Sequence, residues 1–182
     1  MGEKEMTFWE HLDELRKVLF RSAVVIAVLM AGIFMAKDFV FNTVVFAPID
    51  SDFVLYRLID KALVMLNTPT LPEFHLELIN IALSAQFFIH VSTTFYFALV
   101  LAIPFIIYQL WSFVKPALYD NEKRAAQAAF AFSGVLFLLG VLVGYFLIFP
   151  LTLRFLGTYQ VSYEVANQIS LQSYISMFTW LI

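Results

Sequence analysis

The chain has 182 residues, of which 62% are hydrophobic and only 14% charged, with 21 Phe, no Cys and a formal net charge of −3. Soluble domains run about 45–50% apolar and about 25% charged, so a water-soluble fold of this length would leave large apolar patches exposed and prone to aggregate. These figures exclude a soluble enzyme, a disordered chain and a collagen-like one. The small net charge without a basic tract gives nucleic acid no footing, and disulfides and thiolate metal sites are impossible. What remains is an all-α integral membrane protein, a polytopic helical bundle forming one domain over residues 1–182.

In chain order, residues 1–17 are expected to form an amphipathic helix at the cytoplasmic face. Thr7 and Glu10 have the spacing of a capping box, and Phe8, Leu12, Leu15 and Leu19 make one apolar stripe. Trp9 is a suitable interfacial anchor, after which the chain should turn into the first span. Spans are located by runs without Asp, Glu, Lys or Arg, because an ionised side chain in hydrocarbon is costly. About 20 residues are needed to cross. The first span is placed at 18–36, with Arg21 snorkelling to the rim.

Residues 37–86 are too many for a simple connector. They are read as a structured extracytoplasmic loop punctuated by Pro48, Pro69 and Pro72, with an amphipathic helix over 53–67. The charge-free run from Leu78 is too long for one span. Its first part, Leu78–Gln86, is read as an interfacial or extramembrane helix, leaving the second span at 87–113. Pro104 should kink that span. A short cytoplasmic loop, 114–125, follows, with Pro116 ending span two and Asp120 a candidate N-cap for the next helix. The third span, 126–149, should stop at Pro150, and its Gly140 and Gly144 permit close helix approach. A fourth span begins near 170. Leu171 to Ile182 would reach only about 18 Å at 1.5 Å per residue, so the chain is expected to stop inside it.

Orientation follows from Lys and Arg in the flanks. With the N-terminus inside, the cytoplasmic pieces 1–21 and 115–124 hold seven basic residues in 31, against four in 69 for 37–85 and 150–169. The N-terminus is therefore placed in the cytoplasm. Five acids ahead of the first apolar run make a cleaved signal peptide unsuitable.

The chemistry-bearing residues are few. There is no phosphate-binding glycine loop. His11, His75 and His90 lack metal-ligand spacing, and Ala131-Phe-Ser-Gly134 lacks the first glycine of an intramembrane serine-protease motif. No catalytic residue, metal or cofactor is expected, and the chain is not read as an enzyme. Glu14 and Glu122 stand out as carboxylates on the same side of the membrane, each near a helix start. Spacing alone favours local duties for both, Glu14 as a solvated face charge and Glu122 as a complement to a helix dipole.

Three blocks stand out in chain order: His11-Leu-Asp-Glu-Leu-Arg-Lys17 at the entry to span one, Tyr108-Gln-Leu-Trp-Ser-Phe-Val-Lys-Pro-Ala-Leu-Tyr-Asp-Asn-Glu-Lys-Arg124 across the inner loop, and Gly144-Tyr-Phe-Leu-Ile-Phe-Pro150 at the end of span three. Together they resemble the TatC family, the multispanning core of the twin-arginine protein translocase. The first matches its His-Leu-x-Glu-Leu-Arg entry to span one, the second its Phe-x-x-Pro-x-Leu-x-x-x-Glu inner loop and the third its end of span three, while Ala47-Pro48 fits its first outer loop. The resemblance implies six spans with both termini inside, so this chain would hold three complete spans and the start of a fourth. It implies a receptor in the bacterial cytoplasmic membrane that binds twin-arginine signal peptides of folded precursors. Partners would be small single-span subunits, further copies of itself and membrane lipids, and the proton gradient would drive transport. The implied binding residues are Glu14 and Glu122, with Arg16 orienting Glu14 or meeting headgroups and Phe113 and Leu118 offering apolar contact. Pro48, Pro116 and Tyr119 would support them. The competing reading is a small-solute transporter or channel subunit.

Overall fold

The computed structural model describes residues 8–70, 72, 76–159 and 168–182. Helix α1 (Phe8–Met35) is unbroken. No Gly or Pro lies between Leu12 and Ala31 to interrupt its hydrogen-bond ladder. The expected turn between an interfacial segment and the first span is therefore absent, and one helix serves both. Thr7 lies outside the described residues, so the capping box with Glu10 does too.

Past α1 the backbone changes pitch repeatedly. A single turn, α2 (Lys37–Phe39), leads into a π-helical turn at Val40–Val45 and a 3-10 turn at Ala47–Ile49. Helix α3 (Val54–Met65) occupies the expected amphipathic stretch. It ends in a left-handed Asn67, φ 55°. Thr68 N–H donates to Leu63 O and Asn67 N–H to Val64 O, the paired bonds of a Schellman stop. Leu78–Ser84 is not helical. Leu78–Ile79 (β1) pairs in parallel with Ile169–Ser170 (β2), and α4 (Ala85–Val114) starts only at Ala85.

Helix α4 continues past Pro104. Helix α5 (Asp120–Val143) passes through a π turn at Gly144–Ile148 into α6 (Phe149–Thr158). Pro150 therefore does not stop the third apolar run. It sits in the first turn of α6, where the wide π turn before it relieves the demand for its missing N–H. Helix α7 (Leu171–Leu181) is capped by Ser170, whose Oγ accepts from Ser173 N–H at 3.2 Å.

Among the described residues, four helical stretches are long and apolar enough to cross a membrane: Trp9–Met35, Lys37–Met65, Ala85–Ala117 and Asp120–Thr158. The protein is a multi-pass helical membrane protein. The stretch from Lys37 is not a rod, since the turns at 40–53 break it, and the expected fourth span corresponds to α7.

The chain forms two compact units, one of residues 1–33 and 94–137, the other of 34–93 and 138–182. In the second unit, three tyrosine hydroxyls donate to backbone carbonyls in or beside the π turns and the proline-bearing turns. Tyr174 donates to Val45 O at 2.5 Å, Tyr145 to Val44 O at 2.9 Å, and Tyr56 to Pro150 O at 2.8 Å and Pro48 O at 3.3 Å. Phe149 packs edge-on against Tyr174 and Phe178, with centroids 5.4 and 5.0 Å away. Gly144 lets backbone approach closely: a Cβ there would lie 2.7 Å from Leu181 O, whereas Gly140 faces open space. Only half of the small-residue pair makes a close approach. The first unit buries mostly small or polar residues. Val18 and Ser22 on α1, and Thr94, Ala98, Ala102 and Gln109 on α4, are all buried, each set on one helix face.

Candidate functional site

Glu14, Glu122, Arg16, Phe113 and Leu118 all fall in the first unit. On α1, His11, Glu14 and Val18 recur at spacings of three and four, so they share a face. The His11 ring stacks on Phe113, with centroids 4.2 Å apart and planes inclined by 27°. That contact sets the Glu14 face of α1 beside the last turn of α4. Val18 is buried, while Glu14 and Phe113 are half-buried. The carboxylate thus stands at the edge of a packed seam rather than within it.

Glu14 Oε1 accepts from Lys17 Nζ at 2.7 Å. This hydrogen bond, and next the charge of Lys17 itself, hold the Glu14 carboxyl below its usual range. Arg16 does not occupy that position. It lies two residues from Glu14 and is exposed, and helical spacing turns an i+2 residue to another face. The pairing cation is Lys17.

Helix α4 ends at Val114, and Pro116 is held in a 3-10 turn, Lys115–Ala117. Leu118 is extended, with ψ 144°, and swings the chain toward α5. Ring contact between Trp111 and Phe130, with centroids 5.6 Å apart, sets the end of α4 against α5. The N-cap is Tyr119 rather than Asp120. Its carbonyl accepts from Glu122 N–H at 2.9 Å and Lys123 N–H at 3.1 Å. Glu122 Oε2 reaches back to Tyr119 N–H at 3.4 Å, the returning arm of a capping box. Asp120 is displaced into the first turn, where it meets Lys123 Nζ at 2.6 Å. That bond holds its carboxyl below the usual range.

Glu122 and Tyr119 are exposed and Leu118 is half-buried. Pro48 belongs to the other unit, buried beneath Tyr56. Neither His11 nor Lys17 was singled out from the sequence. Their signal was helical spacing, since each lies three residues from Glu14. Chemically, Glu14 and Glu122 are carboxylates whose present bonds are local: one to an exposed lysine, one a long contact to a backbone N–H. Such groups suit recognition of cations. The Ser133 hydroxyl donates to Phe130 O at 2.8 Å, the usual outlet of a serine within its own helix.

Comparison with known proteins identifies the family. The family described as Sec-independent protein translocase protein (TatC) matches residues 10–182. The Sec-independent protein translocase protein TatC of Blattabacterium sp. subsp. Periplaneta americana is 36% identical over 181 residues, covering 96% of this chain and 67% of that protein. The protein of the same name from Escherichia coli K12 is 31% identical over 166 residues, covering 88% of this chain and 56% of its own length. A crystal structure of the twin arginine translocase receptor TatC in DDM superposes with a TM-score of 0.68 at 30% identity, covering 94% of this chain and 68% of that one. The chain thus spans little more than half to two thirds of the length of these curated relatives, 56% and 67%.

Proposed function

This chain belongs to the TatC family of Sec-independent protein translocase proteins, and from that premise we propose that it binds twin-arginine signal peptides through Glu14 and Glu122. It acts as a receptor and core component of the twin-arginine translocase. With small single-span subunits and further copies of itself, it helps move folded proteins at the expense of the proton gradient. Its place is the bacterial cytoplasmic membrane, with residues 1–17 and 114–125 on the cytoplasmic side, in keeping with the lysine and arginine asymmetry.

The observation that carries this reading is the state of the two carboxylates. Both are reachable from solvent, and among the described residues each has a local partner to give up. Adjacent arginines offer planar donor forks that a carboxylate accepts in bidentate fashion. Lysine supplies charge without that fork, so a reader of this kind distinguishes the two. Exposed ion pairs contribute little, so the binding energy needs partial shielding. The half-buried Phe113 and Leu118 supply it as apolar neighbours for the signal peptide.

The test is binding of a twin-arginine peptide to the purified protein in proteoliposomes. Glu14→Ala and Glu122→Ala should each weaken binding and export while insertion into the membrane is unchanged. Replacing both arginines of the peptide by lysines should weaken binding to the unaltered chain in the same way. Binding at the unaltered level by both variants removes these residues from the site. Solute flux through vesicles that ignores the peptide would favour a transporter instead.

A further inference from the structure

Helix α3 has two unlike sides. Tyr56, Ile59 and Leu63 recur at helical spacing on the side that packs inward, with Tyr56 only 1% exposed. Val54, Leu58 and Met65 form a stripe on the opposite side, and they are 53%, 58% and 85% exposed. Arg57 and Lys61, one turn apart and both exposed, border that stripe. The stripe itself carries no carboxylate.

The helix has a defined depth. Its leading residue Phe53 packs on Tyr145 and Phe146, with centroids 5.7 and 6.0 Å away. Tyr56 is bonded to Pro150 O. Residues 146–150 stand where the charge-free run that begins at Ala125 nears its end, and the next charge is Arg154. The far end of α3 is closed by the Asn67 stop, so the stripe belongs to a fixed helix at the border between apolar and polar chain. Water is a poor neighbour for three large apolar side chains in a row. An apolar stripe flanked by cations is the pattern of a helix lying in the plane of a bilayer surface.

We propose that α3 is an interfacial helix: Val54, Leu58 and Met65 enter the hydrocarbon edge of the adjacent leaflet, and Arg57 and Lys61 hold the headgroups of anionic phospholipids there. Arg57 adds a donor fork suited to phosphate oxygens, and Lys61 adds a point charge. The inference rests on the multi-pass character of the protein and is independent of the peptide-binding reading.

Because the chain has no cysteine, single labels can be placed without background. Nitroxides at Leu58→Cys, Met65→Cys and Lys61→Cys are compared in the full chain, reconstituted into phosphatidylglycerol-containing vesicles. At 58 and 65, relaxation by oxygen should exceed relaxation by a water-soluble nickel chelate, with the order reversed at 61. Dominant nickel access at 58 and 65 overturns the proposal in favour of a water-exposed helix. Access by neither agent overturns it in favour of a protein partner or a second copy. A fluorophore at Leu58→Cys then reads the headgroup. Brominated phosphatidylglycerol should quench it more than brominated phosphatidylcholine with the same acyl chains. That preference should fall about fivefold for each of Arg57→Gln and Lys61→Gln, the equivalent of about 1 kcal/mol per charge at a membrane surface. Equal quenching by the two lipids with the cations intact overturns the headgroup assignment.

Discussion

The two units of this protein are stabilised by opposite means. The unit of residues 34–93 and 138–182 relies on buried or part-buried hydroxyl-to-carbonyl bonds from Tyr56, Tyr145 and Tyr174, arranged around two π turns. The unit of residues 1–33 and 94–137 shows ion pairs that are open to solvent, Glu14–Lys17 and Asp120–Lys123. An unmade bond is expensive in the first setting and cheap in the second. Irregular backbone can therefore persist in one unit because its carbonyls are held. Carboxylates can change partner in the other because little is lost.

Overfilling the tight unit should give the largest effect. A Cβ on Gly144 would fall 2.7 Å from the backbone oxygen of Leu181, and backbone cannot swing aside as a side-chain tip does. Gly144→Leu should cost at least the upper end of the about 1–3 kcal/mol typical of overpacking. Gly140→Leu, facing open space, should leave thermal unfolding in detergent nearly unchanged. Similar losses at both positions would mean that the close approach at Gly144 does not set stability. Next comes Tyr174→Phe, which keeps the ring against Phe149 but leaves Val45 O without its buried donor. The expected loss is about 1–3 kcal/mol, read as a lowered unfolding midpoint. A neutral result would remove the hydroxyl from the account of how the π turn at 40–45 is held.

Much of this was legible in the sequence, and the misses share a cause. The apolar runs gave α1, α4 and α5, and the pattern over 53–67 gave α3, since hydrocarbon imposes length and lack of charge on any span. Pro150 misled because a proline stops a regular helix, yet the π turn before it absorbs the defect. Leu78–Ile79 misled because its partner, Ile169–Ser170, lies about 90 residues away along the chain, and no local pattern announces such a pairing. The core of the first unit was hidden for another reason. In a bilayer the large apolar residues face lipid, and small ones such as Ala98 and Ala102 face inward. At the candidate site, Glu14 and Glu122 were visible as scarce charges. Their bonds were less visible: Lys17 acts through helical spacing, and Tyr119, named only through the family resemblance, acts as the cap.

The open unit can be tested through that same lysine. Lys17 holds the Glu14 carboxyl below its usual range, so the charge on Glu14 should survive to lower pH in the intact chain than in Lys17→Ala. The sign follows from the lowered value. The ion pair is present above the ordinary carboxylate range and is lost only as pH falls through the lowered one. Because the pair is exposed, Lys17→Ala should leave thermal stability within error. It should nevertheless raise the acid midpoint of twin-arginine peptide binding, and at neutral pH it should strengthen binding by removing a competitor for Glu14. Weaker binding at neutral pH would assign Lys17 to the site as a contributor rather than a competitor.

The smallest effect should come from a place where the tight unit breaks its own rule. His90 Nε2 and Thr93 Oγ1 are buried with no hydrogen-bond partner among the described residues. They lie one turn apart on α4, in the stretch where the His90 ring stacks on Phe34 with centroids 4.0 Å apart. If stability in this unit comes from satisfied carbonyls, a buried hydroxyl that satisfies nothing should contribute nothing. Thr93→Val keeps the branched shape and removes the unpaired oxygen, so the unfolding midpoint should stay level or rise. A clear fall would show that Thr93 has a bonded partner, an ordered water bridging it to His90 being the simplest. His90→Phe, which retains the stack on Phe34, separates the two outcomes: with such a bridge it falls together with Thr93→Val, and without one it does not.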